Sequence, residues 1–284
     1  MKSFLFTLSL MLICFCAVAQ KQEVGFMGGI STYKGELNPT LLDSKFFSPA
    51  GGIFYRYNLN HFFSSKTAIC VGQIFGDDAK SSDAFNKNRN LSFSSSILDI
   101  STQMEFNFLP YEIGNKKLPF APYIFIGIGI FKFNPQTNYT DPLTGETSSV
   151  DLQPLGTEGQ GTTNYPDRKE YALTQISIPF GGGLKINVGQ FGIGVDIGVR
   201  KTFTDYLDDV SGTYADKAVL SSQNGPMAAA LADRSLSHDA KTNGQRGNPN
   251  DNDWFLFGGL TVYFRLDKII DKCAPFRHKQ DYYN

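Results

Sequence analysis

The segment TQISIPFGGGLKINV (residues 174–188), followed by Gly189-Gln190 and then FGIGVDIGVR (residues 191–200), decides how the rest of the chain is read. In its first part Thr174, Ile176, Ile178, Phe180, Gly182, Leu184, Ile186 and Val188 occupy one set of alternate positions. Gln175, Ser177, Pro179, Gly181, Gly183, Lys185 and Asn187 occupy the other. A period of two sends successive side chains to opposite faces of a strand, so this is one long strand with an apolar face and a polar face. The second part repeats the pattern, with Phe191, Ile193, Val195, Ile197 and Val199 against Gly192, Gly194, Asp196, Gly198 and Arg200. Only Gly189 and Gln190 are left for the turn, which makes the pair a hairpin.

Working outward, Leu98, Ile100, Thr102, Met104, Phe106 and Phe108 alternate with Asp99, Ser101, Gln103, Glu105 and Asn107. Near the end Trp254, Leu256, Gly258, Leu260, Val262, Phe264 and Leu266 alternate with Phe255, Phe257, Gly259, Thr261, Tyr263 and Arg265. Less regular strands fit residues 23–35, 50–60, 66–76 and 119–133, for about eight in all. The connections alternate between long and short, with long ones at 134–169 and 204–251 and tight ones at 60–65 and 189–190. That parity is the mark of a transmembrane antiparallel β-barrel, with long extracellular loops, short periplasmic turns and both termini periplasmic. A secreted β-sandwich is the competing fold, but its strands average about 5–6 residues and nothing in it makes every second loop short.

Composition agrees. The 284 residues include 25 Phe, 13 Tyr and 28 Gly, and only 19% are charged, against about 25% in an average soluble domain. A formal net charge of −1 leaves no basic surface for a phosphate backbone, so nucleic acid is not an expected partner. Residues 1–19 read as a signal peptide: Lys2, an apolar run over 4–16, and the small-x-small cleavage pattern Ala17-Val18-Ala19. Ile13 and Phe15 stand where lipidation needs a small residue, so no lipid anchor is expected. Residues 20–266 then form the barrel in the outer membrane, surrounded by its lipids, and 267–284 a periplasmic tail.

On this reading the polar faces carry Arg56, Asp99, Glu105, Lys185, Asp196, Arg200 and Arg265 into the lumen. An eight-stranded barrel is just wide enough to be filled by side chains, so these charges are expected to pair and close it. Phe62, Phe63, Tyr111 and Tyr123 at one end, and Phe131, Phe133, Phe203 and Trp254 at the other, are expected to form interfacial girdles.

Catalysis finds little support, and no enzyme activity or cofactor is expected. The histidines are His61, His238 and His278, and His238 with Ser235, Ser237 and Asp239 is a poor catalytic geometry in one loop. Gly156, Gly159 and Gly161 lack the Gly-Lys-Ser/Thr ending of a phosphate loop and read as a shaped turn. Asp205, Asp208 and Asp209, and the stretch 248–253, lack the ligand spacing of a known calcium loop and read as solvated rim charge. After the signal peptide two cysteines remain. Cys70 lies in a strand, while Cys273 lies in the tail, where it is available for an intermolecular disulfide in an oxidising compartment; an internal bridge to Cys70, which needs the tail folded back into the barrel mouth, and an inert thiol are the alternatives.

The stretches AGGIFYRYN (50–58), RNLSF (89–93), MEFNFLPY (104–111), LQPLGTEGQG (152–161), RKTFTDYLDDVS (200–211), ALADRS (230–235) and NDWFLFGGLTVYFRL (252–266) resemble the PorG family. That family supplies the outer-membrane β-barrel component of the type IX secretion system of Bacteroidetes. The resemblance implies an accessory barrel without enzymatic activity, one that anchors or positions a periplasmic ring built of a lipoprotein and its soluble partner. It makes Cys273 a covalent link to that ring, and it turns the loops bearing Thr157, Glu158, Asp205 and Asp208 outward, packed on one another as a cap. A small selective porin or a surface-binding barrel is the alternative.

Overall fold

The computed structural model describes residues 22–115, 117–237 and 241–266. The signal peptide, His238, His278, the tail and its Cys273 lie outside the described residues. Eight strands make the wall: β1 (Gln22–Lys34), β2 (Ser48–Asn58), β3 (Phe63–Asp77), β4 (Ser92–Asn107), β5 (Phe120–Lys132), β8 (Thr174–Val188), β9 (Phe191–Thr202) and β10 (Trp254–Arg265). A hairpin of β6 (Pro135–Thr140) and β7 (Thr147–Asp151) extends β4 beyond the wall. Each wall strand pairs antiparallel with its neighbours, and β1 meets β10 to close the ring. Closure leaves no unpaired edge in the wall, which is what a hydrocarbon surrounding demands.

The register can be followed once around. From Gln22 it runs through Tyr57, Ser65, Met104, Ile126, Phe180, Val199 and Leu256 and returns to β1 at Thr32. That stagger of ten residues tilts the strands steeply and leaves a bore that side chains can fill. On the outside, Phe26, Ile53, Ile69, Ile100, Ile130 and Ile176 are successive cross-strand partners. Each is 40–62% exposed. Ile186 beside Ile193, and Leu260 beside Val195, carry the band around the remaining strands. An apolar belt this continuous is far beyond the patches a water-soluble surface carries and matches a membrane barrel.

At one end the connections are short: residues 59–62, 108–119 and 189–190. Asn60 holds the first by accepting from the Phe62 and Phe63 N–H groups, both at 2.8 Å. Gly189 supplies the left-handed residue of the last, at φ 64°. The described chain also begins and ends here, where Leu266 N–H donates to the Gln22 carbonyl at 2.9 Å. At the other end lie the long connections 35–47, 78–91, 133–173 and 203–253. They contain three short helices, α1 (Ala84–Arg89), α2 (Lys217–Gln223) and α3 (Pro226–Ala232). Asp83 and Asp216 cap the first two by accepting N–H groups of the first turn.

Four ring residues depart from the expected girdles. Tyr111, Tyr123, Phe131 and Phe133 are 0–3% exposed and fill the barrel, whereas Phe62, Phe63 and Phe203 do face outward. On β5 both faces are apolar, and the isoleucines 124, 126, 128 and 130 take the lipid side, which turns Tyr123, Phe125 and Phe131 inward. Tyr111 comes from a connection and folds back into the mouth, where its hydroxyl meets that of Tyr263 at 2.9 Å.

The belt makes a direct prediction. Ile126→Arg, in the middle of β5, should destabilise the barrel in a bilayer by about 2–4 kcal/mol. The same change at exposed Leu143, in the β6–β7 turn, should be neutral. Denaturant titrations in lipid check both, and equal effects would contradict the belt.

Candidate functional site

Two built polar regions stand out: a charged plug in the turn-end half of the lumen, and a clasp that ties the loops into a cap. At the centre of the plug, Glu105 on β4 is fully buried. Lys185 Nζ donates to its Oε2 at 2.6 Å, and Arg56 Nη2 donates to its Oε1 at 3.3 Å. Arg56 Nε sits 2.8 Å from Oε2 as an ion contact, and Lys66 Nζ lies 3.9 Å from Oε1. Arg56 Nη1 also donates to Glu23 Oε2 at 2.8 Å, Lys66 pairs with Asp196, and Arg200 lies 3.5 Å from Asp99.

Four carboxylates therefore face four cations, and the plug carries no net charge. Rings back the cations: Arg56 lies 5.0 Å from the Phe54 centroid and 4.7 Å from that of Tyr263, Lys185 4.5 Å from Tyr123, and Arg200 4.9 Å from Phe257. A void of about 20 Å³ among Lys66, Cys70, Asp196 and Arg200 has room for roughly one water. Toward the loops the bore is filled instead by Tyr33, Phe93, Phe131, Phe133, Phe255 and Phe257. Arg265 is half-buried at the turn-end mouth rather than inside the lumen, donating to the Ile113 carbonyl at 3.1 Å and lying 3.6 Å from Glu112.

The clasp joins two of the sequence stretches singled out above. Glu158, from LQPLGTEGQG, accepts from the Ser211 N–H at 2.9 Å, the Gly212 N–H at 3.0 Å and the Tyr206 hydroxyl at 3.3 Å. Arg246 Nη1 reaches the same carboxylate at 2.9 Å and also donates to the Asp209 carbonyl at 2.5 Å. Asp209, from RKTFTDYLDDVS, accepts from Thr157 at 2.5 Å and from the Tyr171 hydroxyl at 2.7 Å. Arg89 fastens the other two connections, binding Asp78 through two nitrogens at 2.8 Å and donating to the Glu36 and Arg246 carbonyls. Thr157, Glu158, Asp205, Asp208 and Asp209 are all buried, so none is solvated rim charge. The glycine run shapes the turn that presents Glu158, with Gly156, Gly159 and Gly161 at φ 56°, 91° and 78°.

The three aspartates after β9 go separate ways. Asp209 joins Arg246. Asp208 accepts from the Tyr33 hydroxyl at 3.2 Å and the Val210 N–H at 3.0 Å. Asp205 meets Glu36 from the first connection and Asp253 from the end of the last. Burial pushes the Glu36 carboxyl up to about 10, with Asp208 and Asp205 adding to it, and pushes Asp205 up to about 8. Burial likewise raises Asp208 to about 7 and Asp209 to about 6, with Arg89 and Arg246 respectively holding them down. Asp253 is driven well above the usual carboxylate range by burial first, then by Asp208 and Glu36.

Elsewhere His61 contributes its backbone, its carbonyl accepting from the Tyr111 N–H at 3.0 Å and from Asn107 Nδ2 at 3.2 Å. Ser235 is buried and donates to Asp233 at 2.6 Å.

The family described as a domain of unknown function, DUF6089, matches residues 2–153, more than half of the chain. The chain belongs to that family. The match reaches through β1 to β7 and ends at the start of the LQPLGTEGQG stretch. No curated protein matches the sequence.

Among solved structures, the DUF6089 chain is similar to the attachment invasion locus protein Ail of Yersinia pestis, crystallised with the heparin analogue sucrose octasulfate. They share 12% identity over 86% of this chain and 98% of that one, with a TM-score of 0.39. It is also similar to Neisserial surface protein A, at 8% identity over 86% and 97% with a TM-score of 0.40. A third is the N-terminal β-barrel domain of Pseudomonas aeruginosa OprF, at 12% over 86% and 97% with a TM-score of 0.32.

Sequence reading passed over Glu23 and Lys66 in the plug and Glu36, Arg89 and Arg246 in the cap. The signal for the first two was parity alone: Glu23 shares its face with Gly25, and Lys66 with Ala68 and Cys70, on strands whose alternation is weak.

Proposed function

We propose that this protein is a non-enzymatic outer-membrane barrel of the type IX protein secretion system. On this reading it anchors or positions the periplasmic ring lipoprotein and its soluble partner, with the turns and both termini on the periplasmic side and the cap outside. The observation that carries the reading is the filled bore. A plug of four carboxylates balanced by four cations, below a packed layer of rings, offers no path for a solute, so the barrel suits holding a position in the membrane rather than passing cargo. The resemblance to the PorG family supports the choice of machine. Two of its most specific stretches, 152–161 and 200–211, are the ones that meet in the clasp.

The test is purification of the tagged protein from its own membrane in mild detergent, with non-reducing electrophoresis and mass spectrometry of everything recovered. The expected result is co-recovery of a periplasmic lipoprotein and a soluble partner, through a band that disappears in Cys273→Ser. Recovery of the barrel alone, as a heat-modifiable monomer, would reject the ring anchor.

A further inference from the structure

We infer that Glu36, Asp205 and Asp253 form a calcium site that ties the first loop of the barrel to both ends of the last. One oxygen from each carboxylate lies within 4.8 Å of the others. Two oxygens in one calcium shell, each about 2.4 Å from the ion, can be no further apart than that. The three come from different places in the chain: Glu36 follows β1, Asp205 follows β9, and Asp253 directly precedes β10. An ion among them would hold those three strand ends at the cap.

The hydrogen bonding points to a missing positive partner. Asp253 is fully buried. Its Oδ2 accepts from the Leu207 N–H at 2.8 Å, while its Oδ1 has no donor. Asp205 is 7% exposed; the Ser211 hydroxyl faces its carboxylate, but neither oxygen has a donor in hydrogen-bond geometry. Glu36 Oε1 accepts from the Asn248 N–H at 3.3 Å and its Oε2 has no donor. None of the ion pairs among the described residues includes any of these three groups. The nearby arginines are already engaged, Arg89 with Asp78 and Arg246 with Glu158 and Asp209. Buried carboxylates are normally paired or coordinate a metal, and among the described residues no side-chain cation is in place to pair them. Glycine at position 35 belongs to the same arrangement, because a Cβ there would overlap Asp253 Oδ1.

The donor set selects the ion. All the ligands are hard carboxylate oxygens with no nitrogen or sulfur, which suits calcium or magnesium rather than zinc or copper. Magnesium demands a strict octahedron of oxygens at about 2.0–2.1 Å and gives up its waters reluctantly, which three carboxylates fixed by separate strand ends suit poorly. Calcium takes six to eight oxygens in a flexible shell, and bidentate carboxylates with water complete it. Glu36 is half-buried, which gives the ion a way in. The site is a property of the loop end and does not depend on which machine the barrel serves.

The experiment uses the full-length protein in detergent, stripped with EDTA and titrated with calcium chloride by calorimetry. Terbium luminescence follows the same site independently. The expected result is saturable binding of one calcium per chain, weakened about tenfold or more in Asp205→Asn and in Glu36→Gln as a charged ligand is lost. Asp205→Asn leaves the carboxamide oxygen facing the Ser211 hydroxyl, and heat-modified mobility on a gel verifies that each variant barrel is folded. Limited proteolysis supplies a readout a purely structural role would not produce. In EDTA the Asp205→Asn cap should resist cleavage better than wild type, and in calcium the order should reverse. No saturable calcium binding, equal affinity for magnesium, or unchanged affinity in both folded variants would overturn the site.

Discussion

Glu105→Ala is expected to lower the stability of the barrel by about 3–5 kcal/mol, the cost of leaving buried charges without their partner. Its carboxylate is the hub of the plug, with Arg56, Lys66 and Lys185 on it and no exposure to water. Alanine would take a carboxylate from all three cations in a lumen lined by Phe54, Tyr111, Tyr123 and Tyr263. Arg56 and Lys66 would keep Glu23 and Asp196, but Lys185 would retain only the neutral amide of Asn107, at 2.8 Å. The comparison that gives the number meaning is Asp99→Ala. Its partner Arg200 is 3.5 Å away and also donates to the Gly198 carbonyl at 2.6 Å, so about 1–3 kcal/mol is expected. Urea titrations in lipid vesicles, followed by gel mobility of unheated samples, would rank the two. A Glu105→Ala barrel as stable as wild type would mean that the plug is not a connected network.

The second large effect is expected in the cap alone. Arg246→Ala removes the guanidinium that binds Glu158 and the Asp209 carbonyl, leaving Glu158 buried with hydrogen bonds but no counter-charge. The cap should then open more easily by about 3–5 kcal/mol, equivalent to a rise of about two to four orders of magnitude in its open population. Hydrogen exchange over residues 156–162 and 205–213 would report that rise, while the amides of β8 and β9 should exchange as before. The separation follows from the architecture, because the wall is closed by its own ladder and needs nothing from the loops to stay paired. Uniform loss of protection through cap and wall would contradict it.

These two regions were unequally legible from sequence, for physical reasons. A strand with lipid on one side and a packed polar lumen on the other must alternate, so the hairpin of residues 174–200 announces itself and Lys185, Asp196 and Arg200 fall on the inner face by parity. Beyond the belt that constraint lapses. The first five residues of β4, Ser92–Ser96, have no lipid face and read as loop, although they pair with the end of β3. The β6–β7 hairpin is rich in Thr and Ser on both faces and likewise carries no periodic signal. On β5 two apolar faces compete, and only the unbroken isoleucine row shows which one meets lipid.

In the cap the informative separations are long. Arg246 meets a carboxylate 88 residues away, and Asp253 meets Glu36 from the opposite end of the chain. Asp205, Asp208 and Asp209 look like one acidic run, yet the irregular backbone at Asp209, with φ 64°, helps send each to a different partner. No local spacing rule encodes that division, which is why the stretch resembled solvated charge.

The central claim is that the bore is closed by balanced charge and packed rings. Single-channel recording of the purified wild-type protein in a planar bilayer tests it most directly. The account predicts a flat baseline with no conductance steps under either polarity, at a protein density where gel mobility shows folded barrels. Stable steps whose cation or anion selectivity changes with Arg56 or Asp99 substitutions would contradict it, and would make the barrel a selective pore.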